Sequence, residues 1–256
     1  MSLKITVITV CYNSAATIRD TLLAVSQQGY QNFEHLIIDG ASTDGTVDIV
    51  RQWTGHPVVL TSEPDKGIYD AMNKGLARAS GDVIGFLNAD DFYADTSVLE
   101  KIASAFQAQQ TEACFGDLVY VSKDNRRVIR HWKSRAFVKG DFANGWCPAH
   151  PTFYIRKSAL ERCGIFDRSF KLASDVEFMM RYLEQGGVRA VYIPHVLVRM
   201  RVGGATNQSW RNVLKQNQEV LVALKKNVVP FTKAGFFVRK LQNRLWQYIT
   251  ARLGRI

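Results

Sequence analysis

The chain is poor in cysteine and has no paired ones. Cys11, Cys114, Cys147 and Cys163 are scattered through 256 residues without a Cys-x-x-Cys pair. That spacing argues against a zinc ribbon or a redox dithiol and predicts reduced, cytosolic thiols. No apolar run approaches the roughly 20 residues that cross a bilayer. The first residues pass straight into Lys4-Ile5-Thr6-Val7-Ile8-Thr9-Val10, without the apolar core and small-residue cleavage site of a signal peptide. A cytoplasmic protein is therefore expected. Acid is missing from one region in particular. From Asn207 onward Glu219 stands alone against ten Lys and Arg, so this segment carries +9 of the total +10 and residues 1–206 carry +1. Such asymmetry predicts an anionic partner for the tail.

What is present is an ordinary globular composition, long enough for one large core with an appendage. The first half alternates strand and helix patterns. Strands are expected at 4–10, 33–38, 57–61 and 82–87, with helices from near Ser14, from Ser42 to about Trp53, and over 68–79. That alternation predicts a mostly parallel sheet with helices on both faces. A helix at 97–109 follows. Ala113 to Ser122 and Arg126 to Trp132 read as a hairpin about Lys123-Asp124-Asn125. Short strands at 153–156 and 189–193 flank a helix that starts at Ser174.

The most informative stretch is Val83-Ile84-Gly85-Phe86-Leu87-Asn88-Ala89-Asp90-Asp91. A buried strand here delivers two carboxylates and an amide to its carboxyl end, where open α/β sheets bind ligands. Clustered oxygen donors there suit Mg²⁺ or Mn²⁺, and through it a diphosphate. The plain alternative is a turn-forming Asp-Asp pair. Asp39 also ends a strand, ahead of Gly40-Ala41-Ser42-Thr43-Asp44-Gly45-Thr46, and is read as a ligand to base or ribose; Asp44 is read as a cap. In the polar run Glu63 to Gly75, Lys66 and Lys74 could neutralise phosphate, and Asp65 and Asp70 could meet a base, a sugar or a helix start. Ser174-Asp175-Val176-Glu177 has the form of a capping box, which accounts for Ser174 and Glu177 and leaves Asp175 free to act as a general base. Arg199, Arg201 and Gly203-Gly204 could fold over a diphosphate or form a surface turn. Trp146 and His150 could line a sugar pocket.

Taken in order, these blocks resemble family 2 glycosyltransferases of the GT-A fold. The resemblance rests on Ile8-Thr9-Val10-Cys11-Tyr12-Asn13, Asp39 to Thr46, Ser62 to Gly75, Phe86 to Asp91, Gly164-Ile165-Phe166-Asp167 and Ala173 to Glu177, spanning roughly residues 4–205. It implies an inverting enzyme that takes a sugar from a nucleotide diphosphate, UDP by preference, to a hydroxyl of a glycan or lipid-linked acceptor in surface polysaccharide synthesis. Carried over, Thr9, Tyr12 and Asp39 look like the nucleoside site, with Asp65 and Lys66 near base or diphosphate. Asn73, Asn88, Ala89 and Arg201 complete the donor set. Asp90 resembles the metal-ligating acid, supported by Asp91, and Asp175 matches the catalytic base. Trp146 and His150 fall on the acceptor side. Asn88 departs from the family's acid and keeps an oxygen donor without its charge. The chain also lacks the Gln-x-x-Arg-Trp motif of processive synthases, so transfer of a single sugar is expected.

The expected organisation is a domain of residues 1–205 (about 1–95 for the donor, 96–205 for the acceptor) and a basic helical segment, 206–256. In that segment Phe236, Phe237, Val238, Leu241, Leu245, Trp246 and Ile249 alternate with Arg239, Lys240 and Arg244. A helix so patterned suits an anionic membrane surface, or packing on its own domain or a second subunit. Nucleic acid is not an expected partner, because the basic residues lie away from the crevice. A non-catalytic nucleotide-sugar sensor and a nucleotidyltransferase are the rival readings.

Overall fold

The computed structural model describes residues 3–203 and 210–252. The first half is β1 (Ile5–Cys11), α1 (Ile18–Ser26), β2 (Phe33–Asp39), α2 (Thr46–Arg51), β3 (Val59–Ser62), α3 (Ile68–Arg78) and β4 (Val83–Phe86). These strands pair in parallel in the order β3-β2-β1-β4. Every residue of β1 is buried, as a strand covered on both faces requires. Side-chain alternation divides the two faces. Cys11 and Ile37 pack with Ile18, Leu22 and Val50 of α1 and α2, whereas Ile8, Val10, Leu36 and Ile38 pack with Ala71, Met72 and Leu76 of α3.

The second half is β5 (Phe92–Tyr93), α4 (Val98–Ala105), β6 (Ala113–Val121), β7 (Val128–Trp132), β8 (Tyr154–Arg156), α5 (Lys157–Cys163), α6 (Ser174–Met180), β9 (Ala190–Arg201), α7 (Trp210–Lys226) and α8 (Lys233–Arg252). Antiparallel β8 joins β4 to β6, which then pairs in parallel with β9 and as a hairpin with β7. The nine strands among the described residues form one continuous sheet, in the order β3-β2-β1-β4-β8-β6-β9-β5 with β7 paired to β6, in a single α/β architecture.

Four elements differ from the sequence expectation. The second helix begins at Thr46 rather than Ser42, because Asp39 and Asp44 hold residues 40–45 in turns through Ser42 and Thr46. The last strand runs on to Arg201 rather than ending at Ile193. Pro194 is accommodated where the β6–β9 register slips between Phe115 and Asp117, so it costs no ladder bond. The strand β5 and helix α5 were not anticipated.

One buried polar chain ties β1, β2 and the α2–β3 connection. Trp53 Nε1 donates to His56 Nδ1 (3.1 Å), His56 Nε2 lies 2.9 Å from His35 Nδ1, and His35 Nε2 lies 2.9 Å from Thr9 Oγ1. The indole can only donate, so both neutral imidazoles must carry their proton on Nε2 and pass the hydrogen bonds one way, toward Thr9. Burial holds His35 down at about 3, with the neighbouring His56 acting in the same direction.

The basic C-terminal segment packs into the main core. Val220, Ala223 and Leu224 of α7 and Phe236 of α8 are buried in the cluster that includes Ile8, Phe86 and Phe178. At Gly145, an added Cβ would lie 2.6 Å from the Lys240 Cβ, so the absent side chain is what lets α8 approach. Among the described residues, no helix is long and apolar enough to cross a membrane.

Candidate active site

The carboxyl ends of β1, β2 and β4 are neighbours on one sheet edge, and their loops are laced together. Asn13 N–H donates to Ser42 Oγ, Thr43 N–H to Asn13 Oδ1, Ser14 N–H to Thr46 Oγ1 and Ala15 N–H to Asp44 Oδ2, all within 2.9 Å. Ala41 sits at φ 62° inside this network, a strained conformation that the surrounding bonds over-determine. The result is a rim from which Tyr12 projects, 65 % exposed. The Asp65 carboxylate closes over Gly40, where a Cβ would come within 2.5 Å of its oxygen. Asp65 also accepts the Gly67 N–H at 2.8 Å, which fixes the entry to α3.

Asp39, expected to meet base or ribose, is fully buried and already engaged. It accepts from the Ser42 N–H and hydroxyl, the Ser62 hydroxyl and the Cys11 thiol. Burial alone would raise its pKa, but these hydrogen bonds outweigh it and hold the carboxylate below its ordinary value. Its lone pairs are spent on shaping the loop. Thr9 is likewise buried and committed to His35. Asn73 exchanges both its amide groups with the Phe166 backbone, at 2.9 and 3.0 Å. These three hold the frame and do not present free groups to the crevice. Ala89 is buried beneath it.

At the end of β4, Asn88, Asp90 and Asp91 form a compact oxygen cluster. Asn88 Nδ2 donates to Asp91 Oδ2 at 3.1 Å, and the Arg201 N–H lies 3.3 Å from Asp91 Oδ1. The Arg201 guanidinium pairs with Asp20 and reaches the Asp90 and Lys123 carbonyls. Burial raises both carboxyls above their ordinary range. Asp91, enclosed by protein, is pushed further by Asp90 beside it, and Arg201 only partly relieves the pair. Two adjacent acids disfavoured as anions are a donor set that a divalent cation would stabilise. Asp90 is the carboxylate that fits one as a direct ligand, with Asn88 as a neutral oxygen donor; Asp91, fully buried with both oxygens accepting hydrogen bonds, would support it from behind. Among the described residues no group of three or more His, Cys, Asp or Glu is arranged to hold a metal, so diphosphate oxygens and water would complete the shell. The Gly203-Gly204 loop expected to follow Arg201 runs beyond Gly203 into residues outside those described.

Asp175 opens the first turn of α6. The capping box does not form as expected: Ser174 Oγ donates to the Asp167 carbonyl, and Glu177 is a buried acid shared by Arg181 and Lys226. The N–H groups of Leu172 and Ala173, just ahead of the helix, instead donate to Glu219 of α7 at 2.7 and 3.0 Å. The tail's lone acid is thus the clamp on the start of α6. Asp175 Oδ1 accepts the Tyr69 hydroxyl at 3.0 Å, which joins α6 to the first turn of α3. Burial, and then the Asp175 charge, raise the Tyr69 phenol well above its ordinary value, so it is a fixed donor. Tyr69 and Glu219 are the residues sequence reasoning missed. Their partners lie 106 and 46–47 positions away, and only the polar helix-start pattern around Tyr69 hinted at either.

Asp175 also faces the acceptor-side residues. His150 packs tilted on Phe86 and edge-on against Phe166 (5.4 and 5.5 Å), and its buried Nε2 has no hydrogen-bond partner among the described residues. Burial lowers its pKa and Asp175 partly opposes this. Lys240 of α8 donates to Asn217 Oδ1 at 2.6 Å. Burial holds its ammonium below the ordinary value, against the pull of Cys147 and Asp175. Trp146 is packed edge-on against Phe115, with the Arg135 guanidinium 4.5 Å from its ring centroid, so it braces the wall. Lys66 is exposed at the α3 entrance, where its N–H donates to Asp70, itself paired with Arg168.

This arrangement has the GT-A fold: a sheet whose parallel strands end in paired acids, with Asp175 on the α6 start tied by Tyr69 to α3. Residues 6–170 match glycosyl transferase family 2, and the chain belongs to that family. It is 30 % identical over 181 residues to the uncharacterized glycosyltransferase Rv1514c of Mycobacterium tuberculosis, covering 69 % of this chain and 68 % of the relative. The mannosyltransferase PcManGT of Pyrobaculum calidifontis, solved with GDP-Man and Mn²⁺, superposes with a TM-score of 0.68 at 21 % identity, covering 99 % of this chain and 74 % of that one. S. aureus TarS 1-349, solved with UDP-GlcNAc, gives 0.65 at 19 % identity, covering 99 % and 73 %. At these identities the two structures establish the shared fold.

Proposed function

We propose that this chain is an inverting transferase that moves a single sugar from a UDP-sugar to a hydroxyl of a glycan or lipid-linked acceptor in surface polysaccharide synthesis. The observation that carries the reading is the Tyr69–Asp175 bond. It ties the acceptor-side acid to the helix whose entrance bears Asp65 and Lys66, on the same sheet edge as Asp90 and Asp91. Asp175 takes the proton of the acceptor hydroxyl as that oxygen attacks the anomeric carbon, and the bond from that carbon to the diphosphate oxygen breaks on the opposite face. Lys66 and Arg201 offset the charge growing on the leaving diphosphate. Asp90, supported by Asp91, would hold a Mn²⁺ or Mg²⁺ that would supply further charge neutralisation there. His150 offers its unsatisfied Nε2 to an acceptor hydroxyl, and Tyr12 offers its exposed ring to the base.

A thermal-shift panel of UDP-, GDP- and dTDP-sugars with and without Mn²⁺ tests the donor. One UDP-sugar should raise the melting temperature through ligand linkage, and more so with the metal. Donor hydrolysis should require the cation and fall about a hundredfold or more in Asp90→Ala. Binding without any turnover would favour the sensor reading instead.

A further inference from the structure

The outer face of α8 is exposed, apolar and bordered by cations. Successive helix residues turn by about 100°, so Phe237, Val238, Leu241 and Leu245 share an arc of roughly that width. They are 43, 55, 60 and 55 % exposed. The side of α8 that holds the helix to the domain is a different one. There Phe236 is 1 % exposed, Lys240 bonds Asn217, and Asn243 reaches the Asn144 carbonyl. The packing of α8 on its own domain therefore leaves this strip uncovered. An ordered apolar strip on a surface helix marks an interaction surface.

Charge identifies the occupant. Residues 220–252 contain no acid, while Lys225, Lys226, Lys233, Arg239, Lys240, Arg244 and Arg252 fall within them. Lys233 and Arg239 are exposed. The tail's one acid, Glu219, is turned inward onto the Leu172 and Ala173 N–H groups and does not offset this field. A second copy docked across the same face would set two cationic helices against each other, which like-charge repulsion disfavours. An anionic bilayer meets both features, because the apolar strip enters the headgroup–acyl boundary while the cations pair with headgroup phosphates.

We propose that α8 lies in the surface of an anionic membrane through Phe237, Val238, Leu241 and Leu245. The same helix carries Lys240 to the acceptor side of the cleft, so docking would bring the acceptor side to the lipid surface. This inference goes beyond the donor chemistry, and its test does not depend on activity.

Flotation of the full chain with phosphatidylcholine vesicles, with and without phosphatidylglycerol, tests it. Retention is expected on the anionic vesicles in low salt and is expected to be lost in high salt. The double variant Leu241→Glu/Leu245→Glu should reduce retention about tenfold or more. Its melting temperature should match the parent, since both positions are exposed. Lys233→Glu/Arg239→Glu, which leaves the apolar strip intact, should also release the protein. Absence of flotation, equal retention on neutral vesicles, or retention unaffected by both variants would overturn the proposal. So would a dimer, seen by light scattering, that the leucine variant dissociates in the absence of vesicle binding.

Discussion

Asp39, Asp44 and Asp65, around the first sheet edge, each take a hydrogen bond from within three residues, whereas Asp175 and Glu219 beyond residue 170 are held from far along the chain. Asp39 is engaged by Ser42, Asp44 by Thr46 and Asp65 by Gly67, each within three residues. Asp175 is held by Tyr69, Glu177 by Lys226, and Glu219 by Leu172 and Ala173, across 46 to 106 residues. Local bonds shape turns that the sheet edge then positions. Distant bonds exist only once separate elements have docked, α7 onto the start of α6 and α6 onto α3, so they report on, and depend on, the assembled domain.

The contrast can be broken or sharpened by mutation. Glu219→Ala strips the acceptor from two N–H groups ahead of α6 and is expected to cost about 2 kcal/mol of stability. Urea unfolding would measure it, and turnover should fall with it because the start of α6 carries Asp175. The buried chain through His35 and His56 is the first half's own longer-range tie, and it should show as pH dependence. Burial holds both rings below their ordinary value, so below about pH 6.5 the unfolded chain binds protons that the fold refuses. Stability should be complete above that pH and fall as it drops toward about 3, by about 2 kcal/mol between pH 7 and 5. Urea titrations at the two pH values would show it, and equal midpoints would contradict it. Tyr69→Phe removes one hydrogen bond to Asp175 and should lower kcat about tenfold while leaving donor affinity unchanged. Asp44→Asn should have the smallest effect. This exposed turn residue loses one of its two engaged oxygens and keeps the other, so the melting temperature should fall only slightly and donor binding should not move measurably. A loss as large as that of Glu219→Ala would erase the distinction between local and distant anchoring.

The same distinction explains what could be read from the sequence. The parallel half was legible because β1, β2 and β3 are each followed by a turn and a helix, and β4 is an apolar run. Asp90, Asp91 and Asp175 stand out in the sequence because a strand end and a helix start limit where such side chains can lie. Thr9 and Asn73 misled, for different reasons. Strand side chains alternate between faces, and nothing local says that Thr9 turns toward His35 on the covered side. The partner of Asn73, the Phe166 backbone, lies 93 residues away. The capping box was a correct pattern with the wrong partners, since Glu219 from the tail supplies the acceptor that Glu177 was expected to provide. Basic composition marked the tail as an appendage, whereas Val220, Ala223, Leu224 and Phe236 make α7 and α8 part of the core.

The measurement that bears most directly on the central claim is a paired one on Asp175→Asn. Donor affinity by calorimetry with Mn²⁺ and turnover with an acceptor would be read on the same preparation. A carboxylate that removes the acceptor proton predicts unchanged donor binding and turnover reduced about a thousandfold. Turnover close to the parent's, with the donor still bound, would contradict it and move the base elsewhere in the cleft.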